Sequence, residues 1–205
     1  MLKRFGLITA VDATAIAHSL LAVAKQFAGT TLNLCEIGIC HGETSRGMAE
    51  FLTDRGIAFD YVGVDNGRDG AGGAVCADVP PFAGARVVQG ESSHVYIEVS
   101  NGLHFLFVDG GHDINHVMLD ALHYGDKVLP GGRMILHDAS PLAQNKCDWQ
   151  GTGPKHHPDF GTATLEAIRT LGMLPMLRPD WRIVEHTYDP ALDYGGVIVF
   201  ERVAI

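Results

Sequence analysis

Apolar residues recur at two different spacings along this chain, and the alternation between them predicts a series of helices and strands. Ile16, Leu20, Val23 and Phe27 are three or four apart and share one helical face. They predict a helix over about residues 12–28, with Asp12 or Thr14 as its cap and Gly29 as its stop. Residues 32–37 form a short apolar run leading into a glycine turn, which reads as a buried strand. Met48, Phe51 and Leu52 mark a second helix closed by Gly56, and residues 61–64 a strand that ends on Asp65. Residues 86–88 and 105–108 read as further strands. A helix is expected over 113–129, stopped by Pro130-Gly131-Gly132, with a strand at 134–136. Residues 164–171 read as a helix, and residues 182–186 and 197–202 as an antiparallel pair at a sheet edge. The segments 66–84 and 141–161 read as loops, the second a candidate cover for a site.

Strands that alternate with helices imply a sheet covered on both faces. The expected fold is α/β, a Rossmann-like doubly wound sheet, mostly parallel with an antiparallel terminal strand. A length of 205 residues, 46% of them hydrophobic, suits a single domain over residues 1–205 with a short helix before the first strand. Ligands of such sheets bind beyond the carboxyl ends of the strands, where Glu36, Asp65, Asp109 and Asp138 fall. Composition narrows the partners. Apolar runs fall well short of the ~20 residues that span a bilayer, so no membrane role is expected. The four cysteines make no CxxC pair and read as reduced thiols of a cytoplasmic protein. A formal charge of −9 without a dense basic cluster disfavours nucleic acid.

Candidate chemistry begins at Glu36-Ile37-Gly38-Ile39-Cys40-His41-Gly42, a strand, turn and helix start. Glycines let a ligand approach the backbone, and the next helix offers unpaired N–H groups. The dinucleotide pattern G-x-G-x-x-G is not met, since Cys40 and Glu43 stand at its second and third glycines. That weakens a nicotinamide dehydrogenase reading. Asp65, ending the next strand, has paired oxygens suited to two ribose hydroxyls. With this E-x-G-x-x-x-G turn and acid, the chain resembles the class I S-adenosylmethionine-dependent methyltransferases. The resemblance implies that Glu36, Gly38 and Gly42 surround the methionyl part of the cofactor and that Asp65 holds its ribose. Glu91 and Ser92, after the third strand, resemble the segment that contacts adenine.

Val108-Asp109-Gly110-Gly111-His112 and Leu136-His137-Asp138 end two further strands, so Asp109 and Asp138 should converge. Two converging carboxylates repel unless a cation or proton is shared between them. This stretch resembles the metal-dependent small-molecule O-methyltransferases of the macrocin and mycinamicin type. That likeness implies Asp109 and Asp138 as ligands of a divalent metal, magnesium or manganese, and His112 as general base. One residue departs from it: that branch has two adjacent acids after the later strand, and here the first is His137. Imidazole is a poor ligand for magnesium. Either His137 stands outside the ligand set, or the ion is manganese, iron or zinc, or no metal is used. Asp109 could instead bind the cofactor's amino group or cap the helix after it. The expected activity is methyl transfer from S-adenosylmethionine to an oxygen of a small-molecule acceptor. Metal-free N- or O-methylation and a non-catalytic cofactor-binding module are its rivals. So lean a chain also leaves room for a homodimer in which a second copy covers the site.

Overall fold

The computed structural model describes residues 8–67, 81–111, 114–141, 179–192 and 195–205. Helix α1 (Ala10–Gln26) is followed by β1 (Leu32–Ile37), α2 (Glu43–Thr53), β2 (Phe59–Asp65) and β3 (Arg86–Gln89). The short α3 (Ser92–Val95) leads to β4 (Leu103–Val108), α4 (Ile114–Gly125), β5 (Val128–His137), β6 (Trp181–Thr187) and β7 (Val197–Arg202). The seven strands form one sheet in the order β3-β2-β1-β4-β5-β7-β6. Strands β1 to β5 pair in parallel, and β7 runs antiparallel to both β5 and β6. The expected doubly wound α/β sheet is present.

Alternation along the strands sorts the core into two halves. Leu34, Phe105, Phe107, Ile135 and Val199 point to one face and pack with Ile16, Leu20 and Val23 of α1 and Met48 and Leu52 of α2. Cys35, Leu106, Val108, Leu136 and Phe200 point to the other, beneath Val117, Ala121 and Tyr124 of α4. All six residues of β4 are buried, as a central strand with helices on both faces requires.

Two expected boundaries are corrected. Helix α4 ends at Gly125, and residues 128–133, including Pro130-Gly131-Gly132, already belong to β5. Val128 pairs with Leu103, and the register then shifts before Phe105 meets Arg133, so the proline and glycines occupy an irregular stretch of strand. The cap of α1 is Thr9, not Asp12 or Thr14. Thr9 Oγ1 accepts from the Asp12 N–H and Asp12 Oδ2 from the Thr9 N–H, both at 3.1 Å, which is a capping box. The helix expected over 164–171, the loop 141–161, Cys76 and Cys147 lie outside the described residues. Among the described residues no helix is long and apolar enough to cross a membrane.

Thr9→Ala removes one of the two reciprocal bonds. The expected cost is about 1 kcal/mol, seen as a fall in melting temperature of about 2–4 °C in a chain of this size.

Candidate active site

The parallel register brings the polar residues of the sheet to one edge. Ile37 lies level with Val64 and with Val108, and Val108 with Leu136. Gly38, Asp65, Asp109 and His137 therefore leave their strands at the same height, with Asp138 one residue on. The turn is stitched to its neighbours: Gly38 N–H donates to Val64 O at 2.9 Å, and Asp109 N–H to Ile37 O at 2.8 Å. Gly38 has φ +83°, and a Cβ on it would stand 2.1 Å from the Asp109 carbonyl oxygen. Only glycine fits there. Gly42, also left-handed, caps α2 and, as glycine, makes no side-chain bond to its first N–H groups.

Asp65 is buried and holds the turn from below. Its Oδ2 accepts from the Ile39 and Cys40 N–H groups at 2.8 and 2.9 Å, and its Oδ1 from the Gly67 N–H at 2.7 Å. A carboxylate offers about four acceptor sites. Oδ2 has both of its own taken, so capacity for a hydroxyl donor remains on Oδ1. Beside it, Glu91 Oε1 accepts from Asn66 Nδ2 at 3.2 Å. Gly90 N–H donates to Asp65 O at 2.8 Å, and the Ser92 carbonyl accepts from Tyr124 OH at the same length.

Glu36 lies one step below the edge, level with Gly63 and Phe107, and is only 1% exposed. Its Oε2 accepts from Ser45 Oγ at 2.5 Å and Tyr61 OH at 2.6 Å, so the acid ties β1 to the start of α2 and to β2. Burial pushes its pKa up to about 8, against the lowering effect of the two hydroxyl donors.

Across the edge, Asp109, His137 and Asp138 each bring a ligand atom within 4.8 Å of the others. His137 Nδ1 stands 2.9 Å from Asp109 Oδ1 and 3.5 Å from Asp138 Oδ1. Its Nε2 meets Asp12 Oδ2 at 3.3 Å. Burial opposes a charge on this imidazole, yet the Asp109 and Asp138 carboxylates outweigh it and hold the pKa well above the ordinary histidine value. Asp12 is fully buried and also accepts from the Gly196 N–H at 3.0 Å through Oδ1. Gly196 can come so close only as glycine, since its φ is +83° and a Cβ would stand 2.7 Å from Ser140 N. Among the described residues, the non-glycine positions with positive φ are Cys40 and Asp138, and both lie at this edge. Strained backbone of this kind persists where the surroundings over-determine it, commonly at functional sites.

Residues 35–139 match the model of a family described as a methyltransferase domain, over half of the chain. The chain belongs to that family. Its fold is the class I fold that the sequence resemblance implied. Similar solved structures include the O-methyltransferase from Bacillus cereus in complex with SAH, at 15% identity over 97% of this chain and 84% of that one, with a TM-score of 0.59. TomG from Streptomyces achromogenes, an O-methyltransferase of tomaymycin synthesis in complex with SAM, is 16% identical over 95% and 82%, with a TM-score of 0.59. MycE, a methyltransferase of the mycinamycin biosynthetic pathway in complex with Mg and SAH, is 16% identical over 88% of this chain, with a TM-score of 0.56. This chain spans only 47% of MycE. At such identities the likeness is one of fold. No curated protein matches the sequence.

The matched stretch of the methyltransferase holds the glycine turn, Asp65, Asp109, His137 and Asp138, but not Asp12 or Gly196. Neither was singled out as a site residue from sequence. Asp12 nonetheless carried a signal, since it lies four residues before Ile16 on the apolar stripe of α1, where an acid must find partners. His112, the expected base, lies outside the described residues.

The donor set fits a divalent ion. Neighbouring donors of a six-coordinate ion with bonds of about 2.1 Å stand about 3 Å apart, close to the 2.9 and 3.5 Å found here. Two carboxylates and an imidazole suit manganese, iron or zinc better than magnesium.

The Glu36 pKa has a direct consequence for stability. Because it is raised from 4.5 to about 8, the folded state holds a proton that the unfolded chain has lost across that window. The stabilisation is complete below about pH 4.5 and lost as pH rises through about 8, a change on the order of a few kcal/mol. Glu36→Gln has no such proton to lose. Melting temperatures of the two proteins at pH 5 and pH 9 should show the wild type losing stability relative to the variant as pH rises.

Proposed function

We propose that this methyltransferase moves a methyl group from S-adenosylmethionine to an oxygen of a small molecule, with a divalent ion at Asp109, His137 and Asp138. The observation that carries the reading is adjacency: the metal-suited cluster begins at Asp109, whose backbone is in contact with Gly38 of the glycine turn. A donor in that turn and an acceptor on the cluster would face each other across one edge of the sheet. When bound, S-adenosylmethionine supplies an already activated methyl electrophile, and the ion supplies a Lewis acid for the acceptor hydroxyl.

The residues then have separate tasks. Gly38 and Gly42 admit the methionyl end against bare backbone, and Glu36 holds that turn through Ser45 and Tyr61. Asp65 takes a ribose hydroxyl on Oδ1, and the turn at Glu91 and Ser92 borders the adenine. Asp109 and Asp138 orient the acceptor oxygen, and His112, three residues after Asp109, removes its proton. Alignment of the two reactants supplies most of the rate, since the electrophile needs no further activation from the protein. In support, the family is a methyltransferase one, and similar structures hold SAM, SAH or Mg.

One observation favours metal-free transfer as a second reading. The Asp109 and Asp138 carboxylates stand 2.9 and 3.5 Å from His137 Nδ1 and favour its protonated form, and a protonated imidazole there would offset their repulsion without an ion.

Calorimetric titration with S-adenosylhomocysteine should show micromolar binding, and Asp65→Ala should weaken it about tenfold or more, the worth of a hydrogen bond to a charged group. Turnover of a hydroxylated acceptor panel should fall after exhaustive chelation and return with manganese. Full activity in chelator would establish the metal-free reading instead, and absence of nucleoside binding would remove both.

A further inference from the structure

We infer that Asp12 is a positioning residue for His137, and that the pair makes this edge a mixed nitrogen–oxygen site which selects a nitrogen-accepting ion such as Mn2+ over Mg2+. The inference deepens the metal-assisted reading and rests on it.

Three observations converge. First, His137 uses its two ring nitrogens in opposite directions: Nε2 toward Asp12 on α1, and Nδ1 toward Asp109 and Asp138. A ligating histidine almost always donates its other N–H to a carboxylate or carbonyl, which fixes both tautomer and ring orientation. Asp12 supplies that carboxylate. Second, Asp12 is itself immobilised, since the Thr9 and Gly196 N–H groups hold one oxygen each and the residue is fully buried. A histidine anchored to a rigid acid cannot swing its Nδ1 away from the cluster. Phe107 lies against the ring, with centroids 5.9 Å apart. Third, the glycine pair before β7 is required for this contact: a Cβ on Gly195 would stand 2.8 Å from Asp12 Oδ2.

The chemistry follows from the donor atoms. With Nε2–H given to Asp12, Nδ1 faces the Asp109 and Asp138 oxygens, and loss of its proton exposes a lone pair between them. An ion entering there takes the place of the Nδ1 proton, which passes to solvent. Oxygen-seeking Mg2+ gains little from imidazole, whereas Mn2+, Fe2+, Co2+ and Zn2+ accept it.

The test is Mn2+ and Mg2+ titration of the full chain, followed by calorimetry and by pulsed EPR of the Mn2+ form, with S-adenosylhomocysteine binding as a separate readout. Wild type should bind Mn2+ about tenfold or more tighter than Mg2+ and show modulation from a directly bound nitrogen. His137→Asp should lose that modulation and close the gap between the ions. Asp12→Asn should weaken Mn2+ about 10–100-fold while nucleoside binding persists.

Asp12 is buried, so a measurement without a variant of it is also needed. Imidazole nitrogen NMR of the Zn2+-loaded wild type, with the His137 signal assigned by its loss in His137→Gln, should place the proton on Nε2. Manganese bound without nitrogen modulation, equal affinities for the two ions, or a proton on Nδ1 would each overturn the inference while leaving a metal site in place. Failure of wild type to bind either ion, with nucleoside binding intact, would overturn the metal-assisted reading and this inference with it.

Discussion

The row of backbone hydrogen bonds through Ile37, Val64, Val108 and Leu136 fixes the level at which the strands give way to loops, and the site depends on it. Side chains alternate along a strand, so a slip of one residue in any of these strands would turn its last polar residue to the other face. The register is held by burial on both faces of the sheet. Phe105 and Phe107 pack under α1 and α2, while Leu106 and Val108 pack under α4, and no neighbouring register satisfies both. Core packing thereby positions Asp65, Asp109 and His137 relative to one another.

On that base two polar networks do different work. Glu36, Ser45 and Tyr61 lie inside the fold beneath the glycine turn, where hydroxyl donors and burial act on a single acid. Asp12, His137, Asp109 and Asp138 lie across the edge, where three carboxylates surround one imidazole. The first network braces backbone that a ligand would touch. The second gathers polar atoms at the strand ends, where Asp138 stands in a left-handed conformation.

Much of the fold was legible because its strands are short apolar runs bounded by glycine or acid, a pattern with few competing readings. Strands β1, β2, β4 and β7 fall where the runs at 32–37, 61–64, 105–108 and 197–202 put them. The exception was β5, because Pro130-Gly131-Gly132 reads as a stop, whereas a register shift lets these residues sit inside a strand. The edge acids were legible from the same strand ends. Asp12 was read only as a helix cap, because its partners beyond the capping box, His137 and Gly196, lie far away in the chain. Local spacing cannot show that Gly196 closes on α1, nor that the Nε2 of His137 is already taken.

The contact between Asp12 and Gly196 joins positions 184 residues apart. A pairing so distant is costly to close early in folding, so it forms after the nearer contacts are in place. During synthesis from the N-terminus, α1 and the first six strands emerge before the glycine pair that completes the support of His137. The support of His137 is thus finished only after residue 196 has left the ribosome, long after α1 has emerged.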